Sequence, residues 1–320
     1  RFGGLVAAKD IDFTIRGGSS ESSNADKWIY IERLAYELKL PLVRLVDTAG
    51  GSVKLLDQMQ STKIPGYPTW PVVPLLYSVP VVGVALGSCA GLGAIKVLAS
   101  HFSIMVRDTS QVFAAGPPVV KQAFGIDIDK NDLGGYQVHS RKSGLVDNDA
   151  ADEADAMQQA RRFLSYLPKN VFEAPDRAKP TDDPARAEEW LKSAIPRERR
   201  RVYDPRKILA AVFDRDSIFE IGRYHGGSII TGLARLDGYP VGVMASDPRV
   251  AAGAMTLMHG LSRRYWYSHY KEVADLPQTA RLHAEIARAI AAGDREHAAA
   301  ASDRLMDYIE EFTRATLSAM

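Results

Sequence analysis

In this chain of 320 residues, the side chains and backbone best suited to chemistry lie where the apolar run Pro80 to Leu86 meets Gly87-Ser88-Cys89-Ala90-Gly91-Leu92-Gly93. The run carries several β-branched residues and predicts a buried strand. A helical pattern follows from about Gly91 to Leu98. Glycine, lacking Cβ, lets a ligand come close to the backbone. A helix start points N–H groups without intrahelical acceptors, and their positive partial charge, at whatever lies there. Together these elements can hold a thioester carbonyl oxygen that takes up negative charge. The bland alternative is a strand-to-helix junction whose glycines serve close packing. Cys89, inside the turn, is read as a small buried apolar filler ahead of a nucleophile.

Other polar residues fall nearby in the pattern. Asp47 ends the apolar segment Leu40 to Val46 and reads as a strand-end hydrogen-bond acceptor ahead of a catalytic base. His139 reads as a loop-orienting residue, because no acid or nucleophile is tied to it in sequence. Lysines and arginines number 40 against 39 acidic residues, for a formal charge of +1. That balance gives no argument for a nucleic-acid partner, and none is expected. Tyr265-Trp266-Tyr267, set among Arg263, Arg264 and Lys271, reads as an amphipathic helix face ahead of a base-stacking platform. The single cysteine excludes an intramolecular disulfide and suits a reducing cytoplasm. The longest apolar stretch, Pro71 to Leu86, is broken by Pro74, Ser78 and Pro80 and predicts a buried helix and strand, not a membrane span. No signal-peptide pattern is present. The chain opens at Arg1 without Met and runs at once into strand-like residues, which suggests a missing start.

The elements that must position these residues alternate. One or two short strands are predicted over Gly4 to Ile15, and a helix over Ala25 to Leu38 capped by Asn24. A strand spans Pro41 to Val46, a loop Gly50 to Pro68, and a helix Trp70 to Tyr77. Strands follow at Val81 to Leu86, Phe102 to Val106 and Gln111 to Ala114, then a long helix from Asp149 to Leu167. Glu173 to Arg201 reads as an exposed connection with a short helix, Pro184 to Lys192. A helix at Ile208 to Phe213 precedes a hairpin, Ser228 to Leu236 and Pro240 to Met244, turned at Asp237-Gly238. The alternation predicts an α/β protein, and periodicity alone suggests an ordinary doubly wound sheet.

Several motifs, in order, resemble the carboxyltransferase (β) subunits of biotin-dependent acyl-CoA carboxylases of the propionyl-CoA and methylcrotonyl-CoA type. They are Arg16-Gly17-Gly18-Ser19 before a helix with Lys27, Val46-Asp47-Thr48-Ala49-Gly50-Gly51, and the Gly87 to Ala94 turn. Next come Asp108 to Phe113, Gly116 to Lys121, and Leu133-Gly134-Gly135 with His139, Ser143 and Gly144. Tyr203-Asp204-Pro205-Arg206 and Gly232 to Val243 resemble the start of that family's second half. The resemblance covers about residues 1–255. It implies a crotonase-like fold, with residues 1–172 as a first half and 173–255 as a linker and the beginning of a second.

Residues 256–320 depart from this pattern. Leu282, Ile286, Ala289 and Ile290 share one helical face, and Gly293 suits a helix end. Asp294 can cap a second helix that turns Ala298, Ala301, Leu305, Tyr308, Ile309 and Phe312 inward. The predicted helix pair resembles the end of the FadR-type C-terminal ligand-binding domain of GntR-family regulators. In many relatives two histidines there bind metal; here His283 stands opposite Leu305, so no metal is expected.

The carboxyltransferase resemblance implies transfer of a carboxyl group from carboxybiotin to the α-carbon of an acyl-CoA. Gly91 and Leu92 fall on the glycine pair whose amides form one oxyanion hole, and Leu92 in place of glycine keeps the N–H and adds a side chain that would narrow the pocket or shift specificity. Arg16, Gly18, Lys27, Ala90 and Gly91 fall where CoA and its thioester would bind, Arg16 and Lys27 toward the phosphates or adenine, although solvated turn and helix positions are the commoner fate of such residues. Biotin would arrive on a carrier protein or domain, with a biotin carboxylase as partner, in a cytoplasmic homo-oligomer. The family's second oxyanion hole lies beyond the divergence, so weak turnover is expected. The competing readings are an acyl-CoA or small-ligand binding module without catalysis, and another crotonase-fold enzyme such as a hydratase or decarboxylase.

Overall fold

The structure is a computed structural model; it describes residues 7–9, 13–19, 22–51, 60, 69–180, 182–183, 185–198, 201–250 and 276–318. The chain divides into two compact units, Arg1–Val250 and Ala251–Met320. The first is built on a parallel sheet in the order β1 (Ala7–Lys9), β2 (Leu42–Thr48), β3 (Val81–Ala90), β4 (Phe102–Val106), β6 (Asn148–Ala150). The short β5 (Gln111–Phe113) lies parallel to the last residues of β3. Every residue of β4 and the first five of β3 are buried. Such sheets are covered on both faces, so their strands read as unbroken apolar runs.

Helices close the crossovers. α1 (Ser22–Leu38) joins β1 to β2, α2 (Val72–Leu76) precedes β3, and α3 (Leu92–Leu98) joins β3 to β4. α4 (Pro117–Phe124) and α5 (Lys130–Gly134) follow β5, then a π-helical turn at Gln137–Lys142. α6 (Glu153–Leu164) lays Ala156, Ala160, Phe163 and Leu164 on the sheet. Phe102 stacks on Phe163 at 4.8 Å and meets Phe219 edge-on at 5.3 Å. The opposite side holds a buried ion pair: Glu32 on α1 accepts both Nε and Nη2 of Arg44 on β2, at 3.0 and 2.9 Å. Arg44 Nη1 also donates to the carbonyls of Lys96 and Ala99 at the end of α3. A strand guanidinium thus ties α1 and α3 to the sheet.

A smaller antiparallel sheet follows α7 (Pro205–Val212): β7 (Phe219–Ile221), β8 (Ile229–Leu236), β9 (Tyr239–Ser246). Asp237 and Gly238, at φ 51° and 80°, make the expected tight hairpin. The Asp214 carboxylate accepts both of their amides, at 2.9 and 2.8 Å. In the second unit α8 (Leu276–Ala291) and α9 (Arg295–Ser318) form the expected hairpin. Gly293 N–H donates to Ile290 and Asp294 N–H to Ala289, the bond pair of a Schellman end. Asp294 then caps α9 by accepting from His297 N–H at 3.0 Å.

Several boundaries differ from expectation. Asp149 belongs to β6, and α6 begins only at Glu153, capped by Asp152. α1 starts at Ser22, so Asn24 lies inside the helix. The helix expected over Pro184 to Lys192 is a 3-10 turn at Glu189–Ser193. α7 begins at Pro205, where Asp204 accepts from Arg206 N–H. Ile290 is 65 % exposed because the chain is already turning into Gly293, while Leu282, Ile286 and Ala289 are half-buried. The loop residues 52–59 and 61–68, the side chain of Phe312 and the aromatic run 265–267 lie outside the described residues. Among the described residues, no helix is long and apolar enough to cross a membrane.

Candidate active site

The turn after β3 is built by neighbouring strands as much as by its own glycines. β2 and β3 keep register from Leu42↔Val81 to Val46↔Ala85, then Thr48 pairs with Cys89, so three β3 residues bow out opposite Asp47. The Asp47 carboxylate rests against Gly87 inside this bulge. Cys89 is fully buried, and its thiol donates to the Val46 carbonyl at 3.2 Å. Burial first, and the Asp47 charge second, push that thiol far up, which fits the filler role and leaves no nucleophile.

Gly91 adopts φ 52°, ψ −112°, a conformation that L side chains rarely take, and swings the chain from β3 into α3. Its N–H donates to the Phe113 carbonyl of β5 at 3.0 Å, and its carbonyl accepts from Ile95. Of the two amides expected to face a thioester oxygen, that of Gly91 is therefore spent within the fold. Leu92 opens the first turn of α3, where amides have no intrahelical acceptor, and no side chain caps this end. Gly50 (φ +95°) packs behind it: a Cβ there would stand 2.6 Å from the Ala90 carbonyl oxygen. The Leu92 side chain does not narrow a pocket. It packs with Trp28, Ile29 and Trp70 and is 5 % exposed.

Beside the turn lies a cleft of about 510 Å³, lined by Phe13, Ala49, Ser88, Ala90, Phe113 and Lys130 among others. Ala90 is thus on its wall. Gly18 lies in the 3-10 turn Arg16–Gly18, which is tied to the end of β2: Ala49 N–H donates to Gly17 O, and Thr48 Oγ1 donates to Gly18 O at 2.6 Å. Arg16 opens that turn, and its side chain lies outside the described residues. Lys27 is exposed on α1 and is not among the residues lining the cleft.

His139 sits in the π-helical turn and reaches β5, with Nε2 2.7 Å from the Val112 carbonyl and Nδ1 3.2 Å from Ser143 Oγ. It braces the strand whose next carbonyl anchors Gly91. Sequence reasoning missed Ser88, whose hydroxyl donates to Gln111 Oε1 at 2.6 Å while Gln111 Nε2 donates to Asn131 Oδ1 at 2.7 Å. The signal was available: Ser88 and Ala90 are two apart on one strand and share a face.

Residues 1–264 match the carboxyl transferase domain and residues 243–308 match the FCD domain. Methylmalonyl-CoA decarboxylase subunit alpha of Veillonella parvula is 33% identical over 264 residues, 80% of this chain and 50% of the relative. The propionyl-CoA carboxylase carboxyltransferase subunit of Haloferax mediterranei is 34% identical over 246 residues, 77% of this chain and 47% of the relative. This chain spans about half the length of these curated relatives. Among solved structures, the transcarboxylase 12S hexamer with hydrolysed methylmalonyl-coenzyme A bound superposes with a TM-score of 0.70 at 28% identity, over 77% of this chain and 47% of that one. The α/β unit is crotonase-like, as the resemblance implied. With a match that runs through both of its sheets, the chain belongs to the carboxyl transferase domain family.

Proposed function

We propose that this chain supplies the acyl-CoA side of a biotin-dependent carboxyl transfer. The observation that carries the reading is the Ala90–Gly91–Leu92 turn: an uncapped helix start, aimed by a positive-φ glycine, beside a largely apolar cleft. The reaction needs an enolate at the thioester, with negative charge on its oxygen. Fixed N–H donors in a water-poor site stabilise such charge without reorganising. Leu92 N–H is the donor of the pair, and Gly91 is the joint that aims it, anchored through Phe113. Ala90 and the Gly17–Gly18 loop border the thioester, and Arg16 and Lys27 are assigned to the CoA phosphates. Carboxybiotin on a carrier protein, charged by a biotin carboxylase, supplies the carboxyl group. The setting is a cytoplasmic homo-oligomer in which the single buried thiol stays reduced.

Calorimetric titration with propionyl-CoA tests the first half of this reading. Saturable binding that Gly91→Val weakens is the expected result; equal binding by both proteins removes the turn from the site. Transfer of a labelled carboxyl group from methylmalonyl-CoA to free biotin tests the second half, and complete failure alongside good CoA-ester binding would leave a binding module in place of a transferase.

A further inference from the structure

A second cavity, of about 480 Å³, lies where the ends of β4 and β6 meet α6, α7 and the β7–β8 sheet. It shares no lining residue with the cleft beside Gly91. Its floor is apolar, made by Leu209, Ile218, Phe219 and Ile230. Its rim is ionic, and there the donors outnumber the acceptors.

The carboxylates on this wall are already satisfied. Asp149, its side chain fully buried, accepts Arg107 Nε on one oxygen, and Ser140 Oγ (2.8 Å) and Arg141 Nη2 (3.5 Å) on the other. Glu220 accepts Nε and Nη2 of Arg206, whose Nη1 goes to Asp247. Asp155 accepts Ala151 N–H and Gln159 Nε2. The side-chain amides of Asn148 and Gln159 are bonded to each other and to backbone. Arg206 is spent on these carboxylates and Arg162 Nη2 on the carbonyls of Asp216 and Ile218, but Arg107 and Arg223 keep donors to spare. Arg107 donates through Nε to Asp149 and lies over the Tyr136 ring at 5.9 Å, and neither Nη has an acceptor among the described residues. Arg223 comes no nearer than 3.9 Å to Glu220. The Tyr224 hydroxyl has no hydrogen-bond partner among the described residues, while its ring carries the Arg141 guanidinium at 4.2 Å.

This is a pre-set fork. Arg107 is fixed by the buried Asp149, and Asp149 is held from the π-helical turn through Ser140 and Arg141. Such turns recur at functional sites. A guanidinium whose two terminal nitrogens are unspent matches a carboxylate bidentately. The apolar floor asks for a ligand with a short hydrocarbon body, and the volume lies in the range of small-molecule sites, roughly 300–1,000 Å³. We propose that this cavity binds a small organic carboxylate, its carboxyl group on Arg107 and Arg223 and its chain against Leu209, Ile218 and Ile230. The inference stands apart from the thioester reading, since it uses none of the same residues.

The test is calorimetric titration of the full chain, at fixed ionic strength, with acetate, butyrate and inorganic phosphate. Saturable butyrate binding is expected, tighter than acetate by about fourfold per added methylene. Arg223→Gln, whose side chain is 58% exposed, should weaken butyrate by about tenfold, the effect of losing one charge-assisted bond. Arg107→Gln should abolish it. Because Arg107→Gln also removes a partner of buried Asp149, Leu209→Ala serves as a second variant that touches no ion pair, and it should weaken butyrate while leaving acetate nearly unchanged. Absence of saturable butyrate binding, or a butyrate affinity unmoved by Arg223→Gln, overturns the proposal. Phosphate binding as tightly as butyrate overturns the role given to the apolar floor.

Discussion

A methyl group added at Gly50 or at Gly91 separates two ways of disturbing the same turn. At Gly91 the new Cβ meets only the Ala114 carbonyl oxygen, at 3.5 Å, so Gly91→Ala has room. Its cost is the conformation itself, φ +52°, which for a non-glycine residue amounts to about 1–3 kcal/mol. At Gly50 the Cβ stands 2.6 Å from the Ala90 carbonyl oxygen and 3.3 Å from its carbon, on top of φ +95°. Both obstacles are backbone, which cannot swing aside as a side chain would, so either β2 or the Ala90–Leu92 turn must shift. Gly50→Ala should therefore destabilise more than Gly91→Ala and displace Leu92 N–H as well. If that amide holds the thioester oxygen, its misplacement forfeits about 1 kcal/mol, or roughly fivefold in affinity. Thermal melts followed by calorimetry with propionyl-CoA read the two effects separately. Gly50→Ala as stable as the parent, or a folded Gly50→Ala protein with parental CoA-ester affinity, would refute the geometry argued here.

Other consequences can be checked with the same protein. Glu32→Leu strands the Arg44 guanidinium in the core and should cost about 3–5 kcal/mol in denaturant titrations, while Glu32→Leu with Arg44→Met should recover most of it. Cys89, its thiol pushed far up by burial and by Asp47, should resist iodoacetamide at pH 8 in the native chain and react only on unfolding, as mass spectrometry would record. His139→Ala removes the brace on Val112 and should lower stability by about 1 kcal/mol while loosening β5, visible as faster amide exchange at Gly91. Asp294 is held below the usual carboxylate range, chiefly by the backbone N–H of His297; its contribution is present above the unfolded value and lost as pH falls through the folded one. Asp294→Ala should thus reduce the helicity of the second unit at neutral pH and flatten its acid transition in circular dichroism.

What could be read in advance follows the range of the interactions involved. β4 appears within its expected bounds because four of the five residues from Phe102 to Val106 are apolar, the fifth, Ser103, is held by the Asp147 carboxylate, and burial is complete. Asp237-Gly238 and Gly293-Asp294 turned the chain as expected, because positive φ and capping are decided by two or three adjacent residues. Asn148–Ala150 was hidden. An acidic run ahead of an apolar helix looks like a helix start, and only the ladder to β4 and the three donors on Asp149 make a strand of it. The site shows the same division. Gly91 was legible as a glycine turn, yet the fate of its N–H depends on a carbonyl 22 residues later in β5, itself braced by His139. No local pattern encodes that pairing. It leaves Leu92 N–H as the donor in the proposed reading, and the Leu92 side chain packs on two tryptophans. A glycine at position 92 would keep the N–H and lose that packing, so Leu92→Gly should cost stability far more than CoA-ester affinity. The reverse outcome would return the side chain to the pocket and the donor role to Gly91.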